Sequence, residues 1–255
     1  KTISIDPEVI KQQKDLKIVY TPLHGAGMKL IPRSLKLWGF DNVHCVEEQM
    51  VRSGDFPTVV SPNPENGEAL TLALRDAKAI DADIVMASDP DADRVGMACK
   101  NDKGEWVLIN GNQTCLLFLY YIITNRIKTG KMQPNDFIVK TIVTTEVIKK
   151  IADKNHIEMR DCYTGFKWIA NEIRKSEGKQ NTLAAVKKVM VSWHKTLFAI
   201  KMQFQHARFW QRFALMLKIK VKHYTSFYWI FTLNMDFLKS LLSMWLNPER
   251  VAPTK

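Results

Sequence analysis

Short apolar runs alternate with amphipathic stretches over the first part of the chain. Runs of strand length lie at 16–20, 42–46, 82–87, 95–100 and 105–109. Apolar residues at helical spacing cover 28–38 and 68–80, between the first three runs. The last two runs flank Asn101-Asp102-Lys103-Gly104, which is typical of a hairpin turn. This order predicts a three-layer α/β/α domain with a mixed sheet over residues 1–111.

A second α/β pattern follows in residues 112–178. Its segments are a helix at 115–127, a strand at 137–142, a helix at 146–155, a strand at 157–161 and a helix at 168–177. The pattern stops after two strands, which is too few for a complete domain of this class. We therefore expect a partial second α/β domain.

Composition changes abruptly after Gly178. Residues 179–255 hold 13 Lys and Arg against only two acidic residues, whereas the two charge types balance before that point. All 11 glycines lie at or before Gly178. The net charge of +11 therefore belongs to the tail, and we expect residues 179–255 to be a basic segment without a native fold.

A basic, aromatic tail has other interpretations. It could bind nucleic acid, it could lie on a membrane as amphipathic helices, or Phe227–Leu246 could enter a membrane. Asp236 and Lys239 interrupt that apolar stretch, and a chance pattern needs no function. We expect neither a nucleic-acid nor a membrane partner.

Cysteine usage and the amino terminus add two expectations. Cys45, Cys99, Cys115 and Cys162 are scattered without the CxxC spacing, which predicts reduced thiols in a cytoplasmic protein. No signal peptide opens the sequence, and it begins on Lys1 rather than Met, as expected of a fragment.

Candidate chemistry centres on three alternating aspartates. Asp89, Asp91 and Asp93 directly follow an apolar run of strand length, and Arg94 comes next. Carboxylates at this spacing can turn toward one point, where a hard cation such as Mg²⁺ would remove their repulsion. The guanidinium of Arg94 suits a phosphate group. The alternative is a solvated acidic turn.

Two other turns are candidates. Thr21-Pro22-Leu23-His24-Gly25-Ala26-Gly27 leads from a strand into a helix, and it either holds an anion or only makes a tight turn. We expect His24 to be a structural hydrogen-bonding residue rather than a catalyst. Thr164-Gly165-Phe166-Lys167 precedes the last helix, and its alternative interpretation is a helix-initiating turn with a solvated lysine.

These three motifs, in this order, resemble those of the α-D-phosphohexomutases, the phosphoglucomutase/phosphomannomutase family. The resemblance covers about residues 16–178. In that family the first of four domains carries a phosphoserine, the second the Mg²⁺ loop, the third the sugar-reading loop, and the fourth a phosphate-binding site. This implies that the chain is the second domain and part of the third, from a hexose-phosphate isomerase of carbohydrate metabolism.

The resemblance implies specific roles. Asp89, Asp91 and Asp93 would be the protein ligands of Mg²⁺, and Arg94 would contact phosphate in a catalytic role. Lys167 would also be catalytic, and together with Thr164, Gly165 and Phe166 it would line the substrate site. The substrate of the intact relative would be a hexose phosphate. A non-catalytic module that binds metal or phosphate is the alternative for this chain.

The sequence also departs from the family. The Thr-Ala-Ser-His-Asn-Pro serine loop is absent, so we expect little mutase activity from these residues alone. The Gly-Glu-Glu-Ser sugar loop is also absent after Gly178. A shifted reading frame from Asn181-Thr182 yields YIGGGEESYGFLAQDFVRDKDAVSACAL, and the pair Met190-Val191 must give Gly in that frame. A tail translated out of frame would explain both the missing loop and the change in composition.

Overall fold

The computed structural model describes residues 15–101, 103–187 and 190–192. The first unit contains β1 (Ile18–Thr21), α1 (Gly27–Leu37), β2 (Val43–Cys45), α2 (Thr71–Ala79), β3 (Ile84–Ser88), β4 (Val95–Lys100) and β5 (Trp106–Ile109). The second contains α3 (Gly111–Lys128), β6 (Asp136–Thr141), α4 (Val147–Lys154), β7 (Glu158–Cys162), α5 (Phe166–Lys175), β8 (Asn181–Lys187) and β9 (Met190–Ser192). A short 3₁₀ turn covers Glu47–Gln49.

The first unit is built on a five-stranded mixed sheet in the order β2-β1-β3-β4-β5. Strand β1 pairs in parallel with β2 and β3, whereas β4 and β5 pair antiparallel. Thr21 at the end of β1 lies opposite Ala87 near the end of β3. Because parallel strands end at the same edge of a sheet, the loops after β1 and β3 are neighbours.

Alternation along β1 divides the core between the two faces of this sheet. Ile18 and Tyr20 belong to the cluster that contains Ile31 of α1, and Val19 belongs to the cluster that contains Ala73 of α2. Successive strand residues point to opposite faces, so one helix covers each side. The predicted three-layer α/β/α arrangement is confirmed.

The second unit contains a four-stranded sheet in the order β7-β6-β8-β9. Strands β7 and β8 are parallel to β6, and β9 is antiparallel to β8. Phe137 of β6 packs with Ile169 of α5 on one face, and Ile138 packs with Ile148 of α4 on the other. This unit is therefore α/β as well, as predicted.

Strands β8 and β9 correct one expectation. We expected the second sheet to stop after two strands, but it has four, because Thr182 and Ala184–Val186 pair with β6, and β9 pairs with β8. The expectation that the chain lacks a native fold from residue 179 stays a prediction. The predicted membrane candidate Phe227–Leu246, and all of 193–255, lie outside the described residues.

Helix α3 begins at Gly111, four residues earlier than the periodicity predicts. Asn110 and Gln113 form a capping box, in which the Gln113 N–H donates to Asn110 Oδ1 at 3.0 Å and the Asn110 N–H donates to Gln113 Oε1 at 2.8 Å. Within the described part of the chain, no helix is both long and apolar enough to cross a membrane.

One apolar core joins the two units through α3. The cluster around Phe118 of α3 contains Met97 and Ile109 from the first sheet and Ile138 from the second. Cys45, Cys99, Cys115 and Cys162 form no disulfide within residues 15–187. Burial raises the pKa of the Cys99 thiol to about 12.

Gly96 of β4 offers a test of how closely the long loop after β2 is seated on the sheet. An ideal Cβ at Gly96 would lie 1.9 Å from the carbonyl oxygen of the buried Pro64, so we expect Gly96→Ala to destabilise the fold. The cost should be about 1–3 kcal/mol in free energy of unfolding, as for other overpacked sites, measured by urea denaturation. Gly54→Ala is the control, since an ideal Cβ at Gly54 meets no heavy atom within 4 Å. Equal midpoints for the two variants would contradict the prediction.

Candidate metal centre

The loop between β3 and β4 holds the predicted aspartates. Strand β3 is buried along its whole length and delivers Asp89 to the carboxyl edge of the sheet. The Ala92 N–H donates to the Asp89 carbonyl at 2.9 Å, and the Asp89 N–H donates to the Arg94 carbonyl at 3.3 Å. Ala92 is buried with φ +58, a left-handed conformation that turns the chain inside this loop.

The three predicted carboxylates come together. One oxygen each from Asp89, Asp91 and Asp93 lies within 4.8 Å of the other two. Asp89 is buried, Asp93 is intermediate and Asp91 is exposed, so the cluster opens to solvent on one side. Three convergent carboxylate oxygens suit a hard divalent cation that keeps some water ligands. The residues present therefore fit Mg²⁺.

Arg94 contacts the buried member of this trio. Its Nε–H donates to Asp89 Oδ2 at 2.8 Å, and its main-chain N–H donates to Asp89 Oδ1 at 2.8 Å. Arg94 Nε also lies 3.8 Å from Asp93 Oδ1. Burial acts to lower the pKa of Arg94, but its hydrogen bond and charge contact with Asp89 outweigh that effect and raise it. The arginine is therefore a permanent positive charge beside the carboxylates.

The turn after β1 packs against the aspartate loop, the segment between β3 and β4 that carries Asp89, Asp91 and Asp93. The Ala26 N–H donates to the Pro90 carbonyl at 2.8 Å, and an ideal Cβ at Gly25 would lie 2.4 Å from Pro90 Cα. Only glycine permits this approach of two backbones. The motif Thr21–Gly27 was predicted to hold an anion or to make a tight turn, and the structure shows it in contact with the aspartate loop.

His24 lies in a buried polar network that the sequence alone did not predict. Its Nδ1–H donates to the Val51 carbonyl at 2.8 Å, and the Thr58 hydroxyl donates to its Nε2 at 2.8 Å. The Gln49 side-chain amide donates to Thr58 Oγ1 at 3.0 Å and accepts from Thr21 Oγ1. Both ring nitrogens are thus engaged in structure, in line with the structural role expected for His24.

The motif Thr164–Lys167 lies at the carboxyl end of β7, on the other sheet. Gly165 has φ +129 and precedes α5, whose first residue is Phe166. Lys167 Nζ lies 5.2 Å from the centre of the Trp168 ring, a cation–π contact at an exposed site. The structure therefore gathers the aspartates and Arg94 on one loop and places Thr164–Lys167 on a separate element.

A buried lysine organises the carboxyl ends of β6 and β7. Lys140 Nζ has no exposed side-chain surface and pairs with Asp161 at 2.6 Å and with Glu146 at 2.7 Å. Burial acts to lower the pKa of Lys140, but the hydrogen bonds to Asp161 and Glu146 outweigh it and raise the pKa. Lys140 fixes the strand end from which Thr164–Lys167 begins, and its apolar neighbours in sequence gave no sign of this role.

A cavity of about 420 Å³ lies beside this motif. It is lined by Asp161, Tyr163, Trp168, Glu172 and Lys175, among others. The charged lining residues are already paired, Asp161 with Lys140 and Glu172 with Lys175 at 2.8 Å. Its volume falls within the usual range of small-molecule sites, but its three charged lining residues already have ion-pair partners.

Comparison with known proteins matches both units to one family. Residues 3–104 match the phosphoglucomutase/phosphomannomutase α/β/α domain II, and residues 110–185 match domain III. The chain belongs to the phosphoglucomutase/phosphomannomutase family. The domain III match includes the first residues of β8, which agrees with the ordered strand found there.

Individual relatives agree with this membership. A phosphomannomutase from Mycoplasmoides pirum is 32% identical over 198 residues, 78% of this chain and 36% of that protein. A phosphoglucomutase from Staphylococcus epidermidis is 37% identical over 169 residues, 66% of this chain and 30% of that protein. The chain thus spans about a third of the length of these curated relatives.

A solved structure shows the same fold. A phosphoglucomutase/phosphomannomutase family protein from Burkholderia thailandensis superposes with a TM-score of 0.58 at 18% identity. The superposition covers 84% of this chain and 44% of that one. At this identity the likeness concerns the fold alone.

His24→Phe tests the polar network around His24 in the turn that contacts the aspartate loop. We expect a loss of about 1–3 kcal/mol in free energy of unfolding, because the substitution removes both side-chain hydrogen bonds of a buried residue, to the Val51 carbonyl and to Thr58 Oγ1. Urea denaturation measures the loss. His156→Phe is the matched control, because His156 is exposed and has φ +55, close to the +64 of His24. A His24 variant no less stable than this control would show that the network contributes nothing.

Proposed function

We propose that this chain is the metal-binding part of a Mg²⁺-dependent hexose-phosphate mutase. In this proposal the full-length protein is an isomerase of carbohydrate metabolism that transfers a phosphoryl group within the substrate and so interconverts the 1- and 6-phosphates of a sugar. The observation that carries it is the convergence of Asp89, Asp91 and Asp93 beside Arg94 in a chain of this family.

The loop residues would divide the work between charge and orientation. Asp89, Asp91 and Asp93 would hold the ion, and bound Mg²⁺ would neutralise charge on the transferring phosphoryl group. Asp89 is the most buried of the three and is held by two donors from Arg94, so it would fix the position of the site. Arg94, whose side chain is 40% exposed, can present its guanidinium to a phosphate oxygen.

The second unit would supply the sugar-facing side of the site. The exposed residues Thr164 and Lys167 flank Gly165 at the start of α5, where their side chains can reach a polar ligand. Lys167 adds a mobile positive charge suited to a phosphate oxygen, and Phe166 at the first helical position would fix the turn. Lys140 would hold this loop in place through Asp161.

The 255 residues themselves contain no Thr-Ala-Ser-His-Asn-Pro loop to serve as phosphoryl donor. This favours a second candidate function for the isolated chain, that of a non-catalytic module that binds a metal ion or phosphate. The hexose phosphate would then be a substrate of longer relatives, and this chain would retain only the ion-binding share of their chemistry.

Calorimetric titration with Mg²⁺ tests the metal site. We expect Asp91→Ala to weaken Mg²⁺ binding at least about tenfold, because it removes one of three carboxylate ligands while leaving the buried contacts of the loop in place. Asp41→Ala is the control, since it removes an equal charge from an exposed position before β2. Equal affinities for the wild type and both variants would rule out the trio as the site.

A coupled assay with glucose 1-phosphate and Mg²⁺ tests the division of labour. We expect the purified 255-residue chain to show no turnover above the background of the coupling enzymes, because it carries no phosphoserine loop. A full-length relative under the same conditions serves as the positive control. Robust turnover by this chain would overturn the prediction and point to another phosphoryl donor.

A further inference from the structure

Asp89 is shared between the predicted metal position and Arg94. Each oxygen of its carboxylate accepts one hydrogen bond from Arg94. Oδ1 accepts from the main-chain N–H, and Oδ2 accepts from the guanidinium Nε–H. A carboxylate oxygen has two lone pairs, so each can still face a cation. The two positive groups would therefore meet on the same buried carboxylate.

The main chain of Arg94 orients the Asp89 carboxylate, whereas the Arg94 side chain supplies the positive charge beside it. The Arg94 N–H holds Asp89 Oδ1 at 2.8 Å, and this bond survives any substitution of the Arg94 side chain. The side chain adds the positive charge, 2.8 Å from Asp89 and 3.8 Å from Asp93. That single positive charge partly offsets the charge of these two candidate ligands and repels a divalent cation among the three aspartates.

The guanidinium of Arg94 can also leave Asp89, because its side chain is partly exposed to solvent. The Arg94 side chain is 40% exposed whereas that of Asp89 is 2% exposed, so the arginine can turn toward solvent while the carboxylate stays in place. A phosphate group at the open side would pair with the guanidinium in a bidentate manner. Such pairing removes the charge that opposes the cation.

We propose that Arg94 couples metal binding to phosphate binding through Asp89. A phosphate that draws the guanidinium away from Asp89 raises the affinity of the trio for Mg²⁺. By thermodynamic reciprocity, Mg²⁺ at the trio raises the affinity of Arg94 for phosphate by the same factor. This inference rests on the proposed function and adds to it a coupling between the two ligands of the site.

Mg²⁺ titrations of the full chain by calorimetry, with and without inorganic phosphate, test the coupling. We expect Arg94→Met to bind Mg²⁺ about three- to tenfold more tightly than the wild type in the absence of phosphate, because one opposing charge is gone. Phosphate should tighten Mg²⁺ binding by a similar factor in the wild type and have no such effect in Arg94→Met. Phosphate also associates with free Mg²⁺, but to the same extent for every variant titrated in its presence. The difference between variants therefore reports Mg²⁺ binding by the protein.

Two controls isolate the charge. Arg94→Lys keeps the positive charge, so its Mg²⁺ affinity should stay within about twofold of the wild type. Arg174→Met removes an exposed arginine from α5 and should change nothing. Circular dichroism establishes that each variant is folded, and Arg94→Gln is the second neutral variant if Arg94→Met is not.

The outcomes separate this inference from the function on which it rests. If the wild type binds no Mg²⁺, the proposed metal site itself fails. If the wild type binds Mg²⁺ and Asp91→Ala does not, but the neutral Arg94 variants bind it equally or less tightly than the wild type, the coupling is overturned and the metal site stands. A phosphate effect of equal size in the wild type and Arg94→Met also overturns the coupling, as would an Arg94→Lys variant with the affinity of the neutral variants.

Discussion

The parallel pairing of β1 with β3 is the constraint on which the rest of the site depends. It brings the turn after β1 and the loop after β3 to one edge of the sheet, where the Gly25 backbone lies directly against Pro90. Asp89 then becomes a buried carboxylate, which the two donors from Arg94 stabilise. Open α/β sheets bind ligands at this carboxyl edge because loops from parallel strands converge there.

Three of the six described non-glycine residues with positive φ lie in these two turns. Leu23, His24 and Ala92 have φ values of +47, +64 and +58, which side chains other than glycine adopt at a cost. The His24 network and the tight contact at Pro90 supply the opposing interactions. Such over-determined turns are suited to holding a ligand set in one arrangement, because the loop has few alternative conformations at similar energy.

Periodicity and local motifs predicted most of the fold, and residue type predicted the core of the site. The alternation in β1 and the helical spacing in α1 and α2 are strong local patterns, and the type and spacing of Asp89, Asp91 and Asp93 predicted the convergence of their carboxylates. Strand β8 was missed because its burial depends on pairing with β6 rather than on its own composition. Gln49 and Lys140 were missed because each has a partner that is distant in the sequence. Thr21 reaches Gln49, and Asp161 reaches Lys140, only once the strands are paired.

The shared core around α3 has a consequence for dissecting the protein. Residues 105–109 lie between the two family-domain matches, yet Met97 before this segment and Ile109 within it pack with Phe118 and Ile138 beyond it. Separating the chain at this segment would expose apolar core surface on both parts, and exposed apolar surface promotes aggregation. Helix α3 also packs against α4 and β8 of the second unit, so a cut after α3 would uncover the second sheet instead.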